Sequence, residues 1–310
     1  MAEPRDVHAG QEEPIVRRAR LEDRAAVLAF CARTWDEGDY IESVWDEWMA
    51  DTTGAFLVAE LDGRPVAIVH MRMIADDEAW MEGMRVDPAV RRRGVGRVLT
   101  SRALVAARDA GASVARLFTG ASNVASQRLV THFGLTRVAE VVYYQANLQP
   151  DAAAGGTNPG PPTARITHPG VGAFERNWEW LEQSNLSPFN GGLEFLGWVA
   201  RGLTEPHLRE YLAGGQVWLL EEWDTIQALA IAVESGGRDG AAQRLEVRYM
   251  DGLSEAISRL ALALRLEAAR GGLASVRLWL PDLLILADAM NAAGYTRDED
   301  GAMWVYARML

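Results

Sequence analysis

A run of three arginines and two glycines is the stretch of this chain best suited to chemistry. Residues 91–96 read Arg-Arg-Arg-Gly-Val-Gly, between an apolar alternating run that ends at Val86 and an amphipathic pattern at about residues 95–110. Glycines let the backbone approach a ligand, and free N–H groups at a helix start attract anions. The pattern therefore predicts strand, turn and helix around an anion site, most plausibly for a pyrophosphate.

The spacing excludes two common nucleotide-binding loops. A GxxxxGK[ST] loop needs a lysine, and the sequence contains none, while the glycines do not follow GxGxxG. The spacing Arg91-x-x-Gly94-x-Gly96 instead resembles the acyl-CoA signature of the GNAT (GCN5-related) N-acetyltransferases. The alternative is a solvated basic loop, but the flanking strand and helix favour a binding site.

The resemblance implies acetyl-CoA as co-substrate. In that family the strand before the turn offers backbone groups to pantetheine and the thioester, and the turn and helix start bind the pyrophosphate. A second helix start with the pattern Asn-x-x-[AS] follows. Carried over to this sequence, the cofactor-binding residues are Met84, Arg85, Val86, Arg91, Arg92, Arg93, Gly94, Val95, Gly96, Arg97, Asn123 and Ser126.

Glu82 is the candidate general base. Acetyl transfer to an amine needs a group that removes the amine proton. Glu82 lies four residues before Val86 and so on the same face of the strand. Many members of the family carry an acidic residue near this place. The alternative is an ordinary solvated or salt-bridged carboxylate.

The position of the general acid departs from the family pattern. The tyrosine that usually protonates the CoA thiolate is replaced here by Val130. The thiolate could leave unaided, His132 could serve, or Tyr143 or Tyr144 from a late strand could reach the site. We list Tyr143 and Tyr144 as catalytic candidates. The replacement also keeps open an alternative function, a non-catalytic acyl-CoA-binding or sensing protein.

The order of predicted elements matches one GNAT domain over residues 15–148. It reads β-α-α-β-β-β-α-β-α-β, which implies an α/β (α+β) fold with a mixed, mostly antiparallel twisted sheet flanked by helices. Residues 149–163 are rich in glycine and proline and predict a linker, and residues 1–14 predict a disordered tail.

Residues 164–310 repeat the first half and are predicted to form a second, degenerate GNAT-like domain. Three segments match in the same order, for example FGLTR at 133–137 with AGYTR at 293–297. The tandem arrangement resembles mycothiol synthase and related two-domain enzymes of the family. At an offset of 162 residues, Arg91, Gly94 and Gly96 correspond to Leu253, Ala256 and Ser258, so the second domain is expected to have lost the CoA turn.

The composition narrows the classes of binding partner and site that the sequence allows. A formal net charge of −12 argues against nucleic acid, and no apolar run approaches the ~20 residues of a membrane span. Cys31 is the only cysteine, which excludes internal disulfides and cysteine-rich metal sites. We expect a cytoplasmic enzyme without a metal, acting on a small-molecule or peptide amine. The oligomeric state stays open, with a homodimer as one alternative.

Overall fold

The structure is a computed structural model that describes residues 13–34, 38–148, 164–236, 243–299 and 301–310. Its chain contacts divide it into two compact units. Unit 1 comprises Met1–Leu117, Ala125–Thr136 and Ala307–Leu310, and unit 2 comprises Phe118–Val124 and Arg137–Tyr306. Most of the predicted tail and all of the predicted linker lie outside the described residues.

The first half of the chain contains the elements that the sequence predicts, in the predicted order. The bounds of these elements lie close to the predicted ones, and residues 136–147 form one strand. The helices are α1 (Arg24–Cys31), α2 (Ile41–Ala50), α3 (Val95–Asp109) and α4 (Val124–His132), and the strands are β1 (Ile15–Arg18), β2 (Ala55–Leu61), β3 (Arg64–Ala75), β4 (Glu78–Val86), β5 (Val114–Gly120) and β6 (Thr136–Asn147).

The sheet of unit 1 runs in the order β1-β2-β3-β4-β5. Neighbours pair antiparallel except β4 and β5, which pair in parallel. Alternate residues of β2 and β3 face opposite sides. Phe56, Val58 and Ile68 belong to a core with α1 and α2, so these helices cover one face of the sheet.

Strand β4 has two irregularities that matter for a site. Its parallel pairing with β5 covers only Glu78 to Trp80, so among the described residues its later part has no strand partner on that side. Its register against β3 also shifts between the pairs Ile68–Arg85 and His70–Glu82, which is a β-bulge. Gly83 in the bulge has a φ of +65°, in the left-handed region that favours glycine.

Helix α3 begins directly after the predicted glycine turn. Its buried residues recur at helical spacing, as Val95, Leu99, Ala103 and Ala107, and the opposite side is exposed. Gly94 precedes the helix with a φ of +81°, so this position needs a glycine for conformational reasons. The turn, which residues 87–94 form, therefore leads the chain from the end of β4 to the start of α3.

Unit 2 repeats the order of elements and adds an insertion between its first two long helices. The helices are α5 (Phe174–Glu182), α6 (Ser187–Asn190), α7 (Glu205–Ala213), α8 (Ser254–Arg270) and α9 (Leu284–Ala292), and the strands are β7 (Ala164–Thr167), β8 (Leu193–Leu196), β9 (Val199–Gly202), β10 (Val217–Glu222), β11 (Thr225–Ser235), β12 (Arg244–Gly252), β13 (Ser275–Pro281), β14 (Thr296–Arg297) and β15 (Met303–Met309).

The sheet of unit 2 includes the run β6-β13-β12-β11-β10-β7. Strand β6 pairs antiparallel with β13, and β12 pairs in parallel with β13, as β4 does with β5. Strand β6 thus groups with unit 2, although the sequence analysis counts it with the first domain. The domain boundary at residue 148 stays a prediction.

The second turn is deleted rather than substituted. Only Leu253 separates β12 from α8, so Ala256 and Ser258 lie inside that helix. The expected correspondence of these residues to Gly94 and Gly96 is therefore wrong. The physical reason is that chain length, not side-chain size, differs between the two halves at this point.

The predicted fold class is confirmed: both units contain a mixed, mostly antiparallel sheet flanked by helices. Among the described residues, no helix is long and apolar enough to cross a membrane.

Replacing Gly83 with alanine should destabilise the protein by about 3 kcal/mol. A Cβ there would lie 2.1 Å from Cη2 of Trp48, and the positive φ adds backbone strain. Gly63 is the matched control, because its φ is +70° but a Cβ would meet nothing within 4 Å. Gly63→Ala should cost only about 1 kcal/mol. Urea unfolding of both variants measures the difference, and equal losses would refute the packing argument.

Candidate active site

Glu82 lies in a row of side chains that crosses three strands. His70 is its direct partner in the β3–β4 register, and Phe56 is the partner of His70 in the β2–β3 register. Nδ1 of His70 lies 3.0 Å from Oε1 of Glu82. The sheet register therefore places an imidazole next to the candidate base.

The other ring nitrogen of His70 contacts a second carboxylate. Nε2 of His70 lies 3.0 Å from Oδ2 of Asp51, the residue that follows α2. Asp51 also accepts hydrogen bonds from the amide and hydroxyl of Thr53 and from the amide of Gly54. Asp51, His70 and Glu82 thus form a continuous chain of polar contacts, which we call the Asp51–His70–Glu82 chain.

The pKa of Asp51 reflects these contacts. Burial raises it, but the hydrogen bonds from Thr53, together with the charge and hydrogen bond of His70, outweigh that effect and lower the pKa below its usual value. The carboxylate is thereby held in its charged form.

Aromatic packing fixes the imidazole. The rings of Trp48 and His70 stack with centroids 4.7 Å apart and an interplanar angle of 19°, and Phe56 meets His70 edge-on. The His70 side chain is 2% exposed, whereas those of Glu82 and Asp51 are 18% and 15% exposed. His70, in the middle of the Asp51–His70–Glu82 chain, is therefore buried, whereas Asp51 and Glu82 at its ends are partly exposed.

The side chain of Arg85 is held by groups of the protein itself. Its guanidinium donates to Asp39, with Nε 2.6 Å from Oδ2, and its Nη1 donates to the carbonyl of Met84. The side chain of Arg85 and the Met84 carbonyl therefore have protein partners. The edge of β4 between Met81 and Val86 still lacks a strand partner on one side within the described part of the chain.

The glycine turn has the properties of an anion site. Arg91, Arg92 and Arg93 are exposed, and among the described residues none has a carboxylate partner within salt-bridge distance. The amides of Arg97 and Val98 donate to the carbonyl of Gly94, while the earlier amides of α3 lie at an open helix start. These residues fit a pyrophosphate by charge and by backbone geometry.

Gly96 packs toward α4. A Cβ at this position would lie 3.4 Å from Cδ2 of Leu129, an ordinary contact. Ser126 lies in the first turn of α4 and Asn123 directly before that helix, and both are engaged in contacts. The helix start after β5 thus holds the two residues that the sequence analysis assigns to the cofactor.

Val130, at the usual tyrosine position, is buried at 4% exposure, while His132 is exposed at the end of α4. A tyrosine side chain would have to displace the neighbours of Val130. The replacement therefore belongs to the packing of unit 1, and restoring the tyrosine would test packing as well as chemistry.

The two tyrosine candidates occupy different environments within unit 2. Tyr144 is 1% exposed in the core, and its hydroxyl has no hydrogen-bond partner among the described residues. Tyr143 is partly buried and packs against Trp198 and Trp279. Burial raises the pKa of Tyr143, although Arg277 lowers it by charge and hydrogen bond. Tyr143 is therefore the more accessible of the two.

At the matching strand pair, the described residues of unit 2 have no counterpart of His70 and Glu82. Its β11–β12 register shifts at Ile231 and Ala232, as the β3–β4 register shifts at Ile68 and His70. Ala232 pairs there with Val247, which therefore stands where Glu82 stands in unit 1. Methyl groups replace both the imidazole and the carboxylate.

Unit 2 contains a cavity of about 190 Å³ beside its inserted segment. Trp178, Leu181, Leu203 and Tyr249 form its walls, with Glu182, Ser187 and Gly192. The aromatic-rich segment that the sequence analysis singles out thus contributes both to this cavity and to core packing.

Cys31 takes no part in either site. It is buried in the core of unit 1, and burial raises the pKa of its thiol to about 12. The thiolate needed for nucleophilic chemistry is therefore strongly disfavoured.

Sequence reasoning missed His70 and Asp51. His70 stands in an otherwise apolar strand pattern, and a polar residue at a core position is the signal that could have identified it. Asp51 has no such signal, because its role depends on the packing of α2 against β3.

Comparison with known proteins supports the assignment of unit 1. Residues 21–135 match the model of the acetyltransferase (GNAT) family. A mycothiol acetyltransferase of Thermomonospora curvata is 36% identical over 96 residues, which cover 31% of this chain and 32% of that protein. An aminoglycoside N(6')-acetyltransferase type 1 of Stenotrophomonas maltophilia is 27% identical over 148 residues, 45% of this chain and 97% of that protein.

Solved structures share the fold over nearly the whole chain. A GCN5-related N-acetyltransferase of Sphaerobacter thermophilus superposes with a TM-score of 0.60 at 14% identity, covering 95% of both chains. A protein of Thermoplasma acidophilum described as an acetyltransferase has a TM-score of 0.53 at 18% identity, covering 96% of this chain and all of that one. At these identities the likeness concerns the fold.

Residues 21–135, which include the bulged β4 and the glycine turn before α3, match the model of an acetyltransferase (GNAT) domain. This match confirms the resemblance that the Arg91-x-x-Gly94-x-Gly96 spacing indicates.

Asp51→Asn should lower stability by about 2 kcal/mol at pH 7, and less in acid. The pKa of Asp51 is lower in the folded chain, so its carboxylate stabilises the fold above the unfolded value of about 4. That contribution is lost as the pH falls through the folded-state value.

Urea midpoints of both proteins from pH 7 to pH 3 measure this effect, and the gap between them should narrow below about pH 4. Asp62→Asn, at the exposed β2–β3 turn, controls for the loss of one charge. A gap that stays constant across this range would refute the role of the Asp51 carboxylate.

Proposed function

We propose that the first domain transfers an acetyl group from acetyl-CoA to an amine by direct attack within a ternary complex. The observation that carries the proposal is the sequence of features along one segment. Glu82, the part of β4 beyond its parallel pairing with β5, the glycine turn and the start of α3 follow one another between residues 82 and 97. The match of residues 21–135 to the family model makes acetyl-CoA the expected donor.

The turn would hold the donor by its phosphates. Three exposed arginines without carboxylate partners among the described residues and an open helix start supply charge and N–H donors. The β4 edge would receive the pantetheine arm through main-chain hydrogen bonds, and Asn123 and Ser126 would lie at the start of α4. When bound, acetyl-CoA supplies the thioester that the amine attacks.

Glu82 would prepare the amine. An ammonium group has no lone pair for attack, so a base must take one proton before the new C–N bond forms. The Glu82 side chain is 18% exposed, which leaves it accessible from outside unit 1. Cys31 is buried with a raised pKa, which favours direct attack over a covalent acyl-enzyme.

The identity of the group that protonates the departing thiolate stays open in this proposal. Tyr143 remains a candidate, and a thiolate of modest basicity can also be protonated by water. The replacement of the usual tyrosine by Val130 favours a second candidate function, an acyl-CoA-binding or sensing protein without efficient turnover. Turnover with a panel of amines separates the two functions, because only the enzyme releases free CoA faster with an amine present.

The acceptor is proposed to be a small-molecule or peptide amine. The relatives are named for mycothiol and for aminoglycosides, which represent two different acceptors. The net charge of −12 suits a cationic amine better than nucleic acid. A cytoplasmic location and a homodimer stay predictions.

Arg91→Gln combined with Arg93→Gln should weaken acetyl-CoA binding by about 10-fold or more, because two charge-assisted contacts to phosphate are lost. Arg102→Gln combined with Arg108→Gln is the matched control, since both residues are exposed on α3 away from the turn. Calorimetric titration gives affinity and stoichiometry. We expect one site per chain; two sites, or equal effects of the two pairs, would contradict the assignment.

Glu82→Gln should reduce kcat by about 10²-fold or more and leave acetyl-CoA affinity unchanged, because the amide cannot accept the amine proton. Glu60→Gln serves as the control, because Glu60 is also salt-bridged, with a side chain 19% exposed. Steady-state kinetics with an acceptor from the panel gives both parameters. Full kcat with an unchanged pH profile would rule out Glu82 as base.

A further inference from the structure

His70 is bound by a carboxylate on each side, a feature that the proposed function does not require by itself. Both contacts measure 3.0 Å, from Nδ1 to Glu82 and from Nε2 to Asp51. The ring is 2% exposed and lies beneath Trp48. A buried polar group with two well-formed contacts defines the geometry of its partners, because each contact fixes one direction of the ring.

Hydrogen-bond chemistry restricts the charge of the ring. An ionised carboxylate only accepts hydrogen bonds, and neutral imidazole donates from only one nitrogen. Asp51 and Glu82 can therefore both be ionised only when His70 carries a hydrogen on both nitrogens. The charged imidazole then holds two carboxylates, of which only Glu82 lies on β4.

The contacts select one oxygen of the base. His70 contacts Oε1 of Glu82, and Nε of Arg72 lies 3.1 Å from the same oxygen. Within the part of the chain that the structure describes, Oε2 has no such contact. His70 and Arg72 thus both lie against Oε1, and Oε2 is the oxygen left for a ligand.

The contacts that fix His70 begin at the end of α2. Asp51 is fixed by Thr53 and Gly54, and it fixes Nε2 of His70 in turn. Trp48, one turn earlier on α2, covers the ring. Helix α2 therefore determines the orientation of a residue on β3, which determines that of Glu82.

We infer that His70 is a positioning residue for Glu82 and that Asp51 positions His70. The inference rests on the proposed function of Glu82 as base. His70 and Arg72 hold Oε1, and Oε2 accepts the proton: the N–H bond of the ammonium breaks, an O–H bond forms at Oε2, and the electron pair stays on nitrogen. The proton then leaves to water, which reaches the partly exposed carboxyl group.

A double-mutant cycle tests the coupling between the two residues. His70→Gln should lower kcat by about 10-fold with little change in the KM for acetyl-CoA, because the turn is untouched. In the Glu82→Gln background, His70→Gln should have no further effect on kcat. Asp51→Asn should lower kcat in the same direction but by less, because it acts through His70.

Phe30→Leu is the control for a loss of stability. Phe30 on α1 is buried in the same core as Trp48 and Phe56, and it is not one of the residues whose rings or carboxylates contact His70. The variant should lower the melting temperature with kcat nearly unchanged at a temperature where the protein is folded. If Phe30→Leu lowers kcat as much as His70→Gln, the positioning role is refuted.

Nuclear magnetic resonance of the ring nitrogens tests the geometry without any turnover. With ¹⁵N-labelled histidine, five histidines give signals, and His70→Gln assigns those of His70. Glu82→Gln should shift mainly Nδ1 and Asp51→Asn mainly Nε2.

The outcomes separate this inference from the proposed function. If the wild-type protein gives the expected ring signals but transfers no acetyl group, the proposed function is refuted, and with it the positioning of a base. Turnover in the wild-type protein with additive effects of His70→Gln and Glu82→Gln would refute only the positioning role. Ring-nitrogen signals of His70 that respond to neither carboxamide variant would also refute it.

Discussion

The close approach of Trp48 to Gly83 is the contact on which the geometry of the site depends. Only a residue without a side chain lets the indole lie against the bulge of β4, since a Cβ would overlap its ring. With the indole in place, its face covers His70. The bulge of β4, helix α2 and the imidazole of His70 therefore depend on one another. The backbone irregularity of the strand makes room for the aromatic ring of the helix, and that ring covers the imidazole.

The two halves of the chain show what remains of this arrangement when parts of it are lost. Unit 2 keeps the bulge and the parallel pairing of its β12 and β13 strands, yet has alanine and valine where unit 1 has His70 and Glu82. Folding requires the sheet and its helices, whereas the acidic chain and the glycine turn are additional. Burying methyl groups at this strand pair avoids the desolvation cost that the buried polar groups of unit 1 must offset with their contacts.

Much of the fold follows from the sequence, because the apolar patterns are regular and the turns carry glycine. The Asp62-Gly63 turn, the start of α3 after Gly94 and the family of the domain were all predictable from local residue types. His70 and Asp51 were not, because their pairing depends on strand register and on how α2 crosses the sheet. The missing turn in the second half was misjudged for a related reason: a fixed offset cannot represent a deletion.

Leu253 alone connects β12 to α8, whereas residues 87–94 connect β4 to α3. A substitution can revert in one mutational step, but a missing loop must be inserted again together with its left-handed residues. Point substitutions alone therefore cannot build such a turn in the second half. Giving that half a phosphate site would require an insertion between Gly252 and Ser254, whereas the turn of the first half can be altered residue by residue.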